Sequence, residues 1–177
     1  MKWREVNMAI ALLVVSWHAT RGQTKSEYPS RLETSAALDE AATALRDFQE
    51  TTAHIDFTQW KATNRHDAED TSRALAEMRE VVQDVQNQIS KMQNSERPSS
   101  RELFRVYAVL RRSTDWCFTM SVKAEKFGGD VNLASALWEA GQRAEAPAKT
   151  FEAMMLDYLA AADADVLACS HPAASKR

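Results

Sequence analysis

A stripe of apolar side chains between residues 71 and 92 constrains the fold of this chain more than any other feature. Its members recur at alternating three- and four-residue intervals: Thr71, Leu75, Met78, Val82, Val85, Ile89 and Met92. An average spacing of about 3.5 residues is typical of a helix that buries one narrow face against other helices. The stripe therefore predicts a long helix in an antiparallel bundle, with coiled-coil-like packing along its seam.

Glycine and proline, the residues that most often interrupt helices, are scarce in this chain. Only four Gly and four Pro occur among 177 residues, whereas average usage is about 7% Gly and 5% Pro. Such a composition favours helix almost throughout, and no segment requires a β-sheet. We therefore predict an all-α fold.

Two capping boxes predict the starts of two further helices, at Ser30 with Glu33 and at Ser99 with Glu102. In this motif the serine oxygen and the glutamate carboxylate each accept a hydrogen bond from an N–H group of the first turn. After the first box a helical stripe follows, which consists of Leu38, Ala41, Leu45, Phe48, Thr52 and Ile55. Asn64 predicts a turn before the striped helix.

The helix after Ser99 has apolar residues on more than one side. One face carries Leu103, Val106, Leu110, Cys117, Ala124 and Phe127. Other directions carry Phe104, Val109, Trp116, Phe118 and Val122. A helix of this kind is usually covered on more than one side, so we predict that it is the most buried element.

The last helical segment runs from Asp130 to about Cys169, after a turn at Gly128-Gly129. One register continues across Pro147 through Leu133, Leu137, Ala140, Ala144, Phe151, Met154 and Tyr158. Proline either kinks such a helix or begins a new one at its first turn. The prediction is an up-and-down antiparallel bundle of four long helices, the last kinked or broken at Pro147, with five helices as the alternative.

The first 22 residues have the pattern of a secretory signal peptide. Lys2 and Arg4 precede the apolar stretch from Met8 to Trp17, and Gly22 ends a sequence suited to cleavage. We expect a signal peptide at 1–22, a flexible N-terminus at 23–29, one helical-bundle domain at 30–169 and a flexible tail at 170–177. The mature chain is then secreted or periplasmic, and no stable membrane insertion of it is expected because no second apolar run approaches the roughly 20 residues of a membrane span.

The chain has two cysteines, Cys117 and Cys169. Whether they form a disulfide depends on both the cellular compartment and the shape of the last helix. An even cysteine count in an exported protein favours a disulfide. In an unbroken last helix the two residues lie roughly 40 Å apart at 1.5 Å per residue, whereas a disulfide needs Cα atoms within about 7 Å. A bridge therefore requires the chain to fold back at Pro147, and free thiols indicate a continuous helix.

Composition and motifs exclude several classes of function. The formal net charge is −3 at pH 7 and basic residues are interspersed with acids, so nucleic acid is not an expected partner. The chain has no nucleophile-elbow, zincin or P-loop motif. We therefore predict no enzyme activity, no catalytic residue, no metal site and no cofactor. Asp163 and Asp165 are interpreted as solvated surface residues.

Histidines provide the only basis for an alternative. Glu50 and His54 share a helix face near Asp56, while His66 and His171 fall in a loop and in the tail. A haem held between helices would need axial ligands such as His or Met, and His54 with either Met92 or Met154 is the pairing the sequence offers. The predicted function is that of an exported bundle acting through its surface as a binding, adaptor or envelope-associated protein with an unknown protein partner. The alternative is a small periplasmic carrier that binds haem or a metal non-covalently.

Aromatic residues outside the helical stripes are the candidates for a partner surface. Trp60 and Trp138 are two such candidates, because Trp is enriched at interface hot spots. The competing interpretation buries both against neighbouring helices, since Trp is highly buried on average.

Overall fold

The computed structural model describes residues 28–95 and 98–170, with side chains described as far as residue 163. The predicted signal peptide, most of the predicted N-terminal segment and residues 171–177 lie outside the described residues. The chain divides into two compact units, one of which is Pro29–Met155. The described part of the other consists of Tyr28 and residues 156–170.

Four α-helices account for nearly all of the described chain. They are α1 (Arg31–Ala53), α2 (Thr58–Met92), α3 (Ser100–Lys123) and α4 (Val131–Ser170), and a π-helical turn (Ala124–Gly128) follows α3. No strand occurs in the residues the structure describes. The predicted all-α bundle of four helices is confirmed. Pro147 lies inside α4, so the alternative with a fifth helix is wrong.

Polar contacts show that successive helices run in opposite directions. Between α1 and α2, the Gln93 side chain donates to Asp39 and the Gln49 side chain donates to Gln83. Residue numbers therefore rise along α1 in the direction in which they fall along α2. Between α2 and α3, Asp67 pairs with Lys123 at 2.8 Å and Asp84 pairs with Arg105 at 3.7 Å. Between α3 and α4, Ser121 Oγ donates to the Ala134 carbonyl at 2.7 Å.

Both predicted capping boxes are present. The Glu33 N–H donates to Ser30 Oγ at 3.2 Å, and the Ser30 N–H donates to Glu33 Oε2 at 2.8 Å. The same pair of bonds joins Glu102 and Ser99 at 3.3 and 2.8 Å. Each box satisfies N–H groups that would otherwise lack partners in the first turn, so α1 and α3 begin where the sequence predicts.

The predicted stripe of α2 forms the centre of the core. All seven of its residues, from Thr71 to Met92, are buried. The core also includes the residues Leu45, Phe48, Leu110, Leu137 and Phe151 from the other three helices, each at most 1% exposed. Every stripe residue is thus removed from water, which accounts for the regular spacing in the sequence.

The region between α1 and the long part of α2 differs from the prediction in one respect. The stripe of α1 extends in the sequence to Ile55, but the helix ends at Ala53. Ile55 lies outside it because Asp56 Oδ1 accepts a hydrogen bond from the Thr58 N–H at 2.8 Å and begins the next helix. At Asn64, where the sequence predicts a turn, the structure has a kink: this residue has φ −151° and ψ 89°, but α2 continues on both sides of it.

The apolar residues of α3 are not all covered. Leu103, Val106 and Leu110 are fully buried, as expected, but Phe104 is 55% exposed and Val122 is 61% exposed. The prediction that α3 is covered on more than one side is wrong at these two positions. Small polar residues occupy core positions of α3, namely Ser113, Thr114 and Ser121.

The turn between α3 and α4 depends on Gly129, which has φ 62° in the left-handed region that favours glycine. Before it, the helix widens into the π-helical turn, and the Asp130 N–H donates to the Ala124 carbonyl at 3.3 Å. Asp130 Oδ1 then accepts from the Leu133 N–H at 2.9 Å. The predicted Gly-Gly turn and Asp130 cap are confirmed.

Within the second unit, two aromatic rings are in contact. Tyr28 and Tyr158 pack edge to face with ring centroids 5.3 Å apart, a favourable aromatic geometry. Tyr158, the last residue of the predicted α4 stripe, is buried.

Candidate functional site

The candidate ligands near His54 point to solvent rather than to a shared site. His54 is the C-cap of α1, and both it and Glu50 are exposed. Asp56 is occupied by local structure, because hydrogen bonds from the side chain and backbone of Thr58 lower the pKa of its carboxyl. His66 lies in α2 rather than in the predicted loop; it is exposed, with Nδ1 3.4 Å from Asp70 Oδ2. Asp56 thus serves the start of a helix and His66 pairs with a neighbouring surface residue, so these side chains do not converge on a ligand.

The structure separates His54 from both methionines that could act with it as axial ligands. Met92 is adjacent to Gln93, which bonds to Asp39 on α1. His54 lies 15 residues beyond Asp39 in α1, roughly 22 Å at 1.5 Å per residue. Met92 and His54 therefore occupy opposite ends of the α1–α2 pair.

Met154 is separated from His54 in the same way. Arg143 on α4 pairs with Asp47 on α1 at 2.7 Å. Because α4 runs antiparallel to α1, Met154 lies 11 residues further from the His54 end, about 16 Å along the axis. Neither His–Met pair can ligate one iron atom.

The remaining titratable candidates form no cluster. Among the side chains that the structure describes, in residues 28–95 and 98–163, no group of three or more His, Cys, Asp or Glu is placed to hold a metal ion. Asp163 is exposed; the side chain of Asp165 and residue His171 lie outside the described part.

The thiol of Cys117 is free and buried. Burial raises the pKa of this thiol to about 12, so the reactive thiolate is almost absent at neutral pH. The side chain of Cys169 lies outside the described residues. A free Cys117 together with an unbroken α4 agrees with the four-helix interpretation.

Four apolar side chains form an exposed surface along the junction of α3 and α4. Val122 is 61% exposed, Val131 is 66% exposed and Trp138 is 47% exposed, while Phe118 is half-buried. We call these four residues the α3–α4 patch. Single exposed apolar residues are normal on a protein surface, but a contiguous group is informative.

The two rings of the patch are in direct contact. The centroids of Phe118 and Trp138 are 4.7 Å apart, with ring planes tilted by 52°. Val122 lies one helical turn after Phe118, and Val131 lies two turns before Trp138, so each shares a face with its ring. The Ser121–Ala134 hydrogen bond holds the two helices together beside these residues.

A glycine in α4 supports the position of the Phe118 ring. A Cβ atom on Gly141 would lie 2.8 Å from Cε1 of Phe118 and 3.0 Å from its Cδ1. The ring therefore rests on the bare backbone of α4, one turn after Trp138. A glycine in the middle of a helical pattern is the sequence signal that could have indicated this close approach.

Trp60, the other aromatic candidate, is not part of any surface. It is 1% exposed and stacks with Phe57 and with Phe127, at centroid distances of 5.3 and 6.1 Å. The hypothesis that Trp60 contributes to a partner surface is wrong, because its side chain is almost completely buried. Trp138 remains a candidate.

The described helices include none that is long and apolar enough to cross a membrane. Comparison with known proteins adds no family assignment: no family model, curated protein or solved structure matches the chain.

Proposed function

We propose that this protein is an exported helical bundle without catalytic activity, which acts by binding another protein through the α3–α4 patch. The observation that carries the proposal is the contact between the partly exposed rings of Phe118 and Trp138. Because Phe118 rests on Gly141, these side chains are held in place before a partner binds. Rigid aromatic groups at a surface lose little conformational entropy on binding, which favours affinity.

The export part of the proposal is supported by the order of residues before Gln23. Two basic residues, a ten-residue apolar stretch and a Thr-Arg-Gly sequence occur in the order typical of a cleaved secretory signal. We propose secretion or periplasmic localisation on this pattern. It can be tested by intact-mass measurement of the protein purified from its host, which should give a chain starting at Gln23. A mass that includes Met1 to Gly22 would contradict cleavage.

Site-specific photocrosslinking in the host cell tests the binding function. A benzophenone amino acid replaces Val122 or Val131 in separate variants, and Glu77 on the exposed side of α2 serves as the control position. We expect both patch positions to capture the same protein, and Glu77 to capture little of it. Adding Trp138→Ala should strongly reduce capture at Val122 and Val131, because a Trp side chain that a partner covers is a frequent hot spot.

Absence of a crosslink at either patch position would argue against the proposed function. Equal capture at Glu77 would do the same, because it would indicate contact without use of the patch.

A further inference from the structure

The first turns of α2 form a short segment of their own, residues 58–63, which we call the leading segment. After it, the helical backbone is interrupted at Asn64. Before it, residues 54–57 are not helical, and Asp56 Oδ1 accepts a hydrogen bond from the Thr58 N–H at 2.8 Å. Hinges usually lie at the ends of elements, where a few residues absorb large changes in φ and ψ. The leading segment therefore has a hinge position at each end.

The part of α2 after Asn64 is anchored without the leading segment. It has its own cap, since Asn64 Oδ1 accepts a hydrogen bond from the Asp67 N–H at 3.2 Å. Lys123 Nζ of α3 then donates to Asp67 Oδ1 at 2.8 Å and to Thr71 Oγ1 at 3.3 Å. Displacement of the leading segment therefore leaves both the start of the long helix and its attachment to α3 in place.

The leading segment is attached to the bundle by one side chain. Trp60 is 1% exposed, whereas the other five residues of the segment are exposed. The Lys61 N–H and the Thr63 hydroxyl both donate to carbonyls one turn back in the chain. Within the described unit Pro29–Met155, no hydrogen bond or ion pair joins the segment to another helix. Because helices shorter than about 12 residues are marginal on their own in water, the segment stays closed only while Trp60 is packed.

The packing of Trp60 leaves one polar group unsatisfied. Its ring stacks with Phe57, just before the segment, and with Phe127 of the π-helical turn. Its Nε1–H is buried and has no hydrogen-bond partner among the described residues. A buried donor of this kind gives up the hydrogen bond that water provides when the ring is exposed. Closure of the segment therefore gains apolar burial but loses a hydrogen bond, which reduces the free energy that keeps it closed.

We propose that the leading segment is a lid, which opens at Asn64 and at residues 54–57 while the rest of the bundle stays folded. Opening separates Trp60 from Phe127 and gives the indole N–H access to water. Local opening is typical of segments with few buried contacts, and its free energy is well below that of global unfolding. Opening also uncovers the face of Phe127 on the π-helical turn. A molecule that binds this uncovered face would hold the lid open. No residue of the lid belongs to the α3–α4 patch.

Hydrogen exchange of single amides, measured by NMR on the full protein purified from its host, tests whether the lid opens by itself. Residues 61–63 report on the lid, where the Lys61 N–H donates to the Phe57 carbonyl at 2.8 Å. Residues 82–89 of the buried stripe report on global unfolding. We expect protection at residues 61–63 to be at least about 100-fold lower than at residues 82–89. Low concentrations of urea should accelerate exchange at residues 82–89 but hardly at residues 61–63, because lid opening exposes little surface.

Two substitutions test whether Trp60 is the single attachment of the lid. Trp60→Ala should accelerate exchange at residues 61–63 at least about tenfold, while circular dichroism shows that the bundle remains folded. Trp60→Asp should lower the stability of the bundle no further than Trp60→Ala does, because an open lid places either side chain in water. In both variants, the rise in the unfolding equilibrium constant should not exceed the wild-type protection factor of residues 61–63, since that factor measures how strongly the lid is closed.

Trp138→Ala is the matched control. It removes the same type of side chain from α4, where Trp138 is 47% exposed. Exchange at residues 61–63 should stay within about twofold of wild type even if this variant lowers the stability of the whole bundle, because lid opening does not pass through global unfolding.

Three results would overturn the proposal. One is exchange of residues 61–63 by global unfolding alone, with the protection and urea dependence of residues 82–89. Another is a Trp60→Ala variant that does not fold, or a Trp60→Asp variant that is markedly less stable than Trp60→Ala, as expected for an aspartate forced into a closed core. The third is equal acceleration of lid exchange by Trp138→Ala and Trp60→Ala.

Discussion

Two single residues have an environment that their type alone would not suggest. Gly141 is buried in the middle of a helix against an aromatic ring, and Cys117 is a thiol at 0% exposure in the core. The prediction for Gly141 depends on its contact with the Phe118 ring, and the prediction for Cys117 depends on the proton of its thiol.

Substitution of Gly141 by Ala should destabilise the protein by about 1 kcal/mol. In a free helix interior this change stabilises by a similar amount, but here the new Cβ meets Phe118 at 2.8 Å and the ring must move. In a Phe118→Ala background the same substitution should instead stabilise the protein, by up to about 1 kcal/mol. Urea unfolding of the four proteins measures both effects, and additive free energies would show that the ring contact has no energetic role.

The stability contributed by the neutral Cys117 thiol should be lost at high pH. Burial raises the thiol pKa from 9.0 to about 12, so above pH 9 the unfolded chain releases a proton that the folded chain retains. The free energy of unfolding therefore falls as pH rises between 9 and 12, by at most about 1.4 kcal/mol per pH unit. The control is Cys117→Ala, in which other titrating groups contribute equally. Parallel pH dependence of the two proteins would contradict the prediction.

At the scale of elements, local signals agree with the helix starts, and tertiary contacts decide how the helices continue. Capping residues begin α1 and α3 as predicted because each box is complete within four residues. The widening into a π-helical turn after Lys123 was not predicted, since no residue between Ala124 and Gly128 requires it. Pro147 is the clearest case in which local preference and structure disagree. It lies inside α4, although proline lacks a backbone N–H and clashes with the preceding helical turn.

Replacing Pro147 by Ala should stabilise the protein by about 1 kcal/mol. Proline costs about 3 kcal/mol relative to Ala in a helix interior, and loss of the buried ring offsets part of that gain. Pro147→Gly, measured in the same thermal or urea unfolding experiment, should fall about 1 kcal/mol below the Ala variant because Gly restores the N–H but has low helix propensity. Destabilisation of more than about 1 kcal/mol by Ala would mean that the fixed φ of proline is required.

At the scale of the whole molecule, stability depends on one shared core. The stripe of α2 is buried along its whole length, and its partners come from α1, α3 and α4. A defect in this stripe should therefore unfold all four helices together rather than one.

Substitution of Val82 by Asp should abolish most of the helical circular dichroism. Val82 is fully buried, and an unpaired carboxylate there would cost several kcal/mol, comparable to the stability of a typical domain. Val81 is the matched control, since it is the adjacent residue of the same type and is only half-buried; Val81→Asp should remain folded. A folded Val82→Asp variant would show that α2 is not the centre of the core.

The sequence by itself determined the helical class, two capping boxes, the Gly129 turn, the whole buried stripe of α2 and most of the buried positions in the stripes of the other helices. These features are local or periodic: a cap is complete within one turn, and a stripe reports burial wherever the helix packs. The sequence could not show that α4 continues through Pro147, because kinked and broken helices have the same register.

The candidate surface was decided by the tertiary structure. From sequence, Trp60 and Trp138 were equal candidates, and Phe104 and Val122 were expected to be covered. Exposure depends on the packing around each residue: Trp60 is buried and stacks with Phe57 and Phe127, whereas Trp138 lies partly in solvent. Helical periodicity shows which face of a helix is buried in the core. Which face of the whole bundle stays exposed is decided only when the helices pack together.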